Sequence, residues 1–186
     1  TGSTVIGGAG SSGGISGNGR VVAGSVGVQI ESEWGPITQE RAALWTREAG
    51  WKSIAPVLEG CGNSHTQSFD ASSNGATVVG LASVDCSNWY AFHWTAKTGM
   101  KLLPKSSEGR QCDDGWGAYD CEGSARANAV SGDGTLVVGW EEIREAVGNR
   151  VGSIWQGNEQ MLLRDPDGDN PIGGWVGEVM DVNTAG

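Results

Sequence analysis

The sequence predicts an all-β repeat protein of propeller-like blades, and three observations carry that prediction. A polar turn ending in glycine recurs ahead of a valine-rich strand. It reads Ser16-Gly17-Asn18-Gly19 before Val21-Val22-Ala23-Gly24, Ser72-Ser73-Asn74-Gly75 before Thr77-Val78-Val79-Gly80, and Ser131-Gly132-Asp133-Gly134 before Leu136-Val137-Val138-Gly139. Downstream of each, an apolar stretch closes on tryptophan: Ala42-Ala43-Leu44-Trp45, Ala91-Phe92-His93-Trp94 and Gly152-Ser153-Ile154-Trp155. Long helical periodicity is absent; the best candidate, residues 141–147, ends at Gly148 and is too short to stand alone.

The turn comes back a fourth time as Asp181-Val182-Asn183-Thr184-Ala185-Gly186, so its glycines fall at 19, 75, 134 and 186, with spacings of 56, 59 and 52. Self-similarity at such a period marks a repeat architecture. Blades of about 52–59 residues are expected, with a β-solenoid-like stack as the alternative. The chain reads as one repeat domain over 1–186. Its repeats lie near 15–70, 71–126 and 127–178, with partial units at 1–14 and 179–186.

Each repeat then justifies itself strand by strand. Asn-Gly and Asp-Gly suit a two-residue hairpin, because its central positions need positive φ. The Val-Val strand follows, then a variable loop, the Trp strand, a tight turn and a short apolar strand. That last strand is Trp51-Lys52-Ser53-Ile54, Met100-Lys101-Leu102-Leu103 or Met161-Leu162-Leu163. Three or four such strands are the content of one propeller blade, and the repeated tryptophan is expected to wedge between blades. Residues 7–17 are rich in Gly and Ser and read as a flexible connector. Their matches to G-x-S-x-G and G-x-G-x-x-G have no helix after them, hence neither a nucleophile elbow nor a phosphate cradle.

The Ser/Asn-x-Asp/Asn-Gly turn, Val-Val-Gly and Ala-Phe-x-Trp together resemble the bacterial extracellular HAF-type repeat. The resemblance covers about residues 15–163 in three copies plus the stub at 179–186. It departs at the family's namesake triplet, where Tyr90-Ala91-Phe92 and Arg41-Ala42-Ala43 stand in place of His-Ala-Phe. The resemblance implies a β-propeller-like fold and an extracellular or cell-surface address of the autotransporter-passenger kind, with no catalytic residues of its own.

Composition excludes several classes. Glycine supplies 32 of 186 residues and proline 5, which suits many turns. A chain this long buries a sizeable core. No stretch approaches the roughly 20 apolar residues of a membrane span. A net charge of −10 argues against nucleic acid, acidic partners and anionic membranes, leaving cations, polycations and neutral glycans, with a glycan or a surface protein as the expected partner. The chain opens on Thr1 without a signal peptide and reads as processed or excised. Four cysteines without CxxC spacing suit an oxidising compartment better than zinc, paired as Cys61–Cys86 and Cys112–Cys121. Such loops contribute about 3.5 and about 2.7 kcal/mol by chain entropy.

Candidate chemistry follows from residue types. Asp165, Asp167 and Asp169 alternate in Asp165-Pro166-Asp167-Gly168-Asp169-Asn170 and offer calcium its oxygen ligands; a solvated acidic turn is the other reading. Asp113, Asp114, Asp120 and Glu122 form a second acidic group with no such alternation. Nine tryptophans stand against two tyrosines and two phenylalanines. Trp89 beside Asn88, and Trp116 with Tyr119 in the Cys112–Cys121 loop, are the candidates for stacking on a sugar; packing at blade edges is the other reading. His93 reads as a strand-face residue and His65 as a loop residue, and neither has a frame for catalysis.

The termini add one more expectation. Thr1-Gly2-Ser3-Thr4-Val5-Ile6-Gly7 matches the second half of the repeated phrase, and residues 181–186 supply its first half. A fragment of a longer propeller, self-closure, or head-to-tail assembly by strand addition would each explain such a cut. The function expected is a non-catalytic extracellular module for surface attachment or glycan binding, with calcium as its only candidate cofactor. A structural subunit of an extracellular filament or surface layer is the alternative. A propeller glycoside-acting enzyme, whose two carboxylates would come from separate loops, is the third reading.

Overall fold

The computed structural model describes residues 4–32, 35–55, 65–83, 88–106, 110–113, 118–121, 123–143, 150–163 and 177–183, with 4–12, 110–113 and 118–121 as backbone course. The chain is all-β: fourteen strands and no helix among these residues. Three four-stranded antiparallel meanders carry the repeat. Sheet 1 joins β1 (Thr4–Ile15), β2 (Val21–Ser32), β3 (Gly35–Thr46) and β4 (Gly50–Ser53) in that order. Sheet 2 joins β5 (Thr66–Ala71), β6 (Thr77–Ser83), β7 (Trp89–Thr95) and β8 (Gly99–Leu102). A hairpin of β9 (Arg110–Asp113) and β10 (Ala118–Cys121) precedes sheet 3, made of β11 (Ala125–Val130), β12 (Leu136–Glu142), β13 (Arg150–Gln156) and β14 (Glu159–Leu162). Every pairing is antiparallel, as in propeller blades, whereas solenoid coils pair in parallel. The sheets pack face to face in an open row rather than a closed ring.

The strand that the repeated phrase does not announce is the first of each sheet. β5 and β11 run directly before the turn, buried at alternate positions, and β11 packs across β6 and β7. Residues 7–17 correct the connector expectation. Most of them belong to β1, which pairs with β2 through repeated register shifts. The same pairing corrects the reading of residues 1–7 as the missing second strand of the last repeat: from Thr4 onward they form the first strand of the first sheet.

The turn is also different from the two-residue hairpin expected. Ser16 accepts a backbone bond from Gly19 at 2.8 Å and donates its own amide to the Val21 carbonyl at 2.9 Å, which leaves a four-residue loop. The Ser16 hydroxyl donates to Asn18 Oδ1 at 2.8 Å and accepts from the Val21 amide at 3.0 Å. Ser72 with Asn74, and Ser131 with Asp133, repeat the arrangement. Serine and Asx recur because their side chains satisfy the loop's own backbone.

These turns stack on one another. The Asn18 amide donates to Ser73 O at 2.8 Å, and the Ser73 amide to Gly132 O at 2.9 Å. The cores lie at the seams between sheets. Trp155, fully buried, joins Val130 and Val137 of sheet 3 to Val79, Ala91 and Leu103 of the sheet-2 repeat. Trp94 packs against two buried clusters that cross the seam, Ala23 with Ala71 and Val78, and Ala42 with Ala82 and Phe92; Ile54 of the sheet-1 repeat packs against both as well. The expected wedge between blades is therefore realised at both seams.

Candidate functional site

Trp89 opens β7, opposite Ser83 of β6, and is 39 % exposed. Its ring meets that of His65 edge-on, with centroids 4.8 Å apart and planes at 88°. His65 is placed by the next strand edge: its carbonyl accepts the Ser83 amide at 2.9 Å. Half-buried Asn88 precedes Trp89 in the chain. The adjacent Tyr90 ring carries Lys105 Nζ at 3.7 Å from its centroid, and that ammonium also donates to Gly123 O at 2.9 Å. An exposed indole set at right angles to an imidazole forms a fixed apolar platform. Such platforms suit the C–H face of a sugar ring. His65 is the member that sequence reading missed. No pattern in 61–65 signals it, because the contact is made across two strands.

A second concavity of about 380 Å³ lies in the seam between sheets 2 and 3, lined by His93, Leu103, Thr135, Val137, Trp155 and Gln156, among others. Burial, and then the charge of Lys101, push His93 below the usual histidine range, so it sits neutral on its strand face. Across the same seam Glu141 accepts from Ser106 Oγ at 2.9 Å, from the Ser106 amide at 3.0 Å and from Gln160. Burial raises its carboxyl above the ordinary range, although these donors pull the other way. Asp70, raised mainly by burial, takes the Val130 amide at 2.9 Å and ties the first strand of sheet 2 to that of sheet 3.

Beyond sheet 3, residues 177–183 lie along β11 and β12. Glu178 pairs with Arg126 at 2.6 Å and accepts from Asn128 Nδ2 at 2.8 Å, while the Val179 amide donates to Gly139 O at 3.1 Å. By sequence phase this segment corresponds to β5 and β11, the first strands of their sheets.

The other expected site residues divide by placement. Tyr119 lies on β10 opposite Cys112, and Cys121 lies opposite Arg110. Asp113 and Asp120 stand on the same hairpin, opposite Ala118 and Gln111. Trp116, Asp114, Glu122, Cys61, Cys86 and the Asp165, Asp167, Asp169 loop lie outside the described residues. Among the described residues no three His, Cys, Asp or Glu side chains gather as a metal site would need. Nor, among them, is any helix long and apolar enough to cross a membrane.

No protein-family model and no curated protein matches this sequence. Among solved structures the chain is similar to TolB from Acinetobacter baumannii, at 12 % identity and a TM-score of 0.30. The match covers 82 % of this chain but 43 % of that one, so the chain spans less than half of that protein's length.

Proposed function

We propose that the chain is an extracellular, non-catalytic interaction module that binds glycans through the Trp89 platform. The observation that carries this reading is the exposed Trp89 indole packed at right angles to the His65 ring. Surface address, two disulfides and calcium at Asp165, Asp167 and Asp169 belong to the same proposal. They are supported by the even cysteine count, the acidic charge and the resemblance to secreted repeats. A glycan array probed with the full chain and with Trp89→Ala tests it. The variant is expected to keep its β circular dichroism and lose at least roughly tenfold in affinity. Unchanged binding by the variant would remove the platform from the account.

A second reading, a structural subunit that assembles end to end, is favoured by residues 177–183. They lie over sheet 3 in the place of a further sheet's first strand, held by the Val179 amide on Gly139 O and by Glu178 on Arg126, so a sheet supplied by another copy would find its first strand already laid down.

A further inference from the structure

The seams between sheets 1 and 2 and between sheets 2 and 3 are built from equivalent positions, yet they differ in what the earlier sheet presents. Register fixes the equivalence: Ala23 pairs with Leu44, Val79 with His93 and Val138 with Ile154. In the first seam Leu44 packs, with Ile54 and Trp94, against the buried cluster of Ala23, Ala71 and Val78. In the second seam Trp155 is buried with Val79, Leu103 and Val137, but His93 stands in the leucine's place. A second exchange lies diagonally across the same face of sheet 2. Val21 and Leu136 open the second strands of sheets 1 and 3, whereas Thr77 opens that of sheet 2. A Cβ on Gly75 would lie 2.5 Å from a Val21 methyl in the first seam, and one on Gly134 would lie 2.5 Å from the Thr77 hydroxyl oxygen in the second.

Both exchanges put a polar group where the other two repeats are apolar, and both fall in a seam that has a sheet on either side. A break in a local rule that nothing in the packing requires is a mark of function. The concavity of about 380 Å³ opens at this place. It is not what the seam by itself leaves, because a leucine packs at the equivalent position one seam earlier. Its inner wall is apolar, from the buried Leu103, Val137 and Trp155, and its polar side chains are few: half-buried His93, with Gln156 and Thr135 at the exposed rim. Among the described residues neither ring nitrogen of His93 has a hydrogen-bond partner.

An apolar wall with one or two convergent polar groups, in a volume within the range of about 300–1,000 Å³, suits a small and mostly apolar ligand. A sugar ring would leave most of its hydroxyls unpaired there. The chain's net charge of −10 disfavours an anion, and Lys101, paired with His93 across the strands, disfavours a cation. A free imidazole nitrogen accepts a hydrogen bond from an O–H group. We infer that this cavity binds a small neutral hydroxylated aromatic ring, a phenol, whose O–H donates to His93 while the ring lies against Leu103 and Val137. The inference is independent of the glycan-binding reading and of Trp89.

Titration of the full chain with p-cresol, followed by NMR at the ring protons of its two histidines, tests it. The His93 signals move and saturate, while those of His65 stay in place. The same ring without its O–H, p-methylanisole, binds roughly tenfold more weakly, as the loss of one buried hydrogen bond requires. His93→Leu carries the packing of the first seam into the second, so it melts above the parent and loses p-cresol affinity at least roughly tenfold. Trp89→Ala leaves p-cresol binding unchanged. Equal affinity for p-methylanisole, or p-cresol binding that survives His93→Leu, overturns the inference. So do His93 signals that p-cresol leaves unmoved, which would assign the cavity to water, and a His93→Leu chain that melts below the parent. Tighter binding of p-hydroxybenzoate than of p-cresol overturns it too, by making Lys101 the centre of an anion site. The comparison of p-cresol with p-methylanisole uses the parent chain alone and decides even where a variant does not fold.

Discussion

At the residue scale, a Cβ on Gly139 would lie 1.9 Å from the Arg126 carbonyl oxygen, and one on Gly80 would lie 1.9 Å from that of Gln67. The glycine of Val-Val-Gly is thus required by the first strand, whose bulges at Ser68/Asp70 and Ala127/Ala129 press its backbone onto the second. Gly139→Ala is expected to destabilise by about 1–3 kcal/mol through overpacking. Gly19→Ala, in open space but at φ +67, is expected to lose about 1 kcal/mol through backbone strain alone. Urea melts that place the two variants in the reverse order would refute the close-approach argument. Asp133 gives a sharper local test. Bonds from Ser131 and Thr135 hold its carboxyl below the ordinary range, whereas the first two turns carry Asn18 and Asn74, which do not titrate. A depressed folded value means its stabilising effect is present above the unfolded value and is lost as pH falls through the folded one. In acid, hydrogen exchange at the Leu136 amide should rise ahead of exchange at Val21 and Thr77.

Seams carry the energetics at the scale of elements. Trp155 is fully buried, donates its indole N–H to Pro104 O at 2.8 Å, and links two sheets, so Trp155→Ala should cost about 3–5 kcal/mol. Trp45 occupies the same repeat position without a covering sheet, and its truncation should cost markedly less. Equal losses in thermal melts would mean that burial at the seam is not what distinguishes them. Glu141 adds a pH dependence to the same seam. Its folded value is raised, so its contribution is fully present below the ordinary glutamate range and is lost as pH rises through the raised value. Asp70 acts in the same direction. The melting temperature should therefore rise as pH is lowered from neutral toward that range, and Glu141→Gln should flatten the rise. An unchanged slope in the variant would move the effect elsewhere.

For the whole molecule, the three sheets stand in an open row, and residues 177–183 lie over sheet 3, clamped by the Arg126–Glu178 pair. Light scattering with and without a calcium chelator separates the two functional readings. A monomer near 19.2 kDa under both conditions excludes end-to-end assembly and leaves the glycan sites. Large species that collapse on chelation would support assembly braced by the Asp165, Asp167 and Asp169 loop.

The sequence by itself determined the all-β repeat, its period, the Trp wedge and the short last strand of each sheet. Turn chemistry, β-branched runs and a recurring aromatic are local signals, written wherever the fold repeats. It left the first strand of each sheet nearly silent. Residues 66–71 and 125–130 alternate weakly, and 4–15 is dominated by Gly and Ser, because these strands are held by backbone ladders and inter-sheet contacts more than by their own propensity. The Asn-Gly pair pointed to a two-residue hairpin. The serine hydroxyl and the stacking of successive turns select a four-residue loop instead. Of the Trp89 platform, the indole and Asn88 were legible as neighbours in sequence, while His65 reaches it across a strand pair. Three equivalent tryptophans read alike in the chain, and only the packing of the sheets decides that Trp155 is fully buried while Trp45 and Trp94 are half-buried, because burial depends on what the neighbouring repeat brings to the seam.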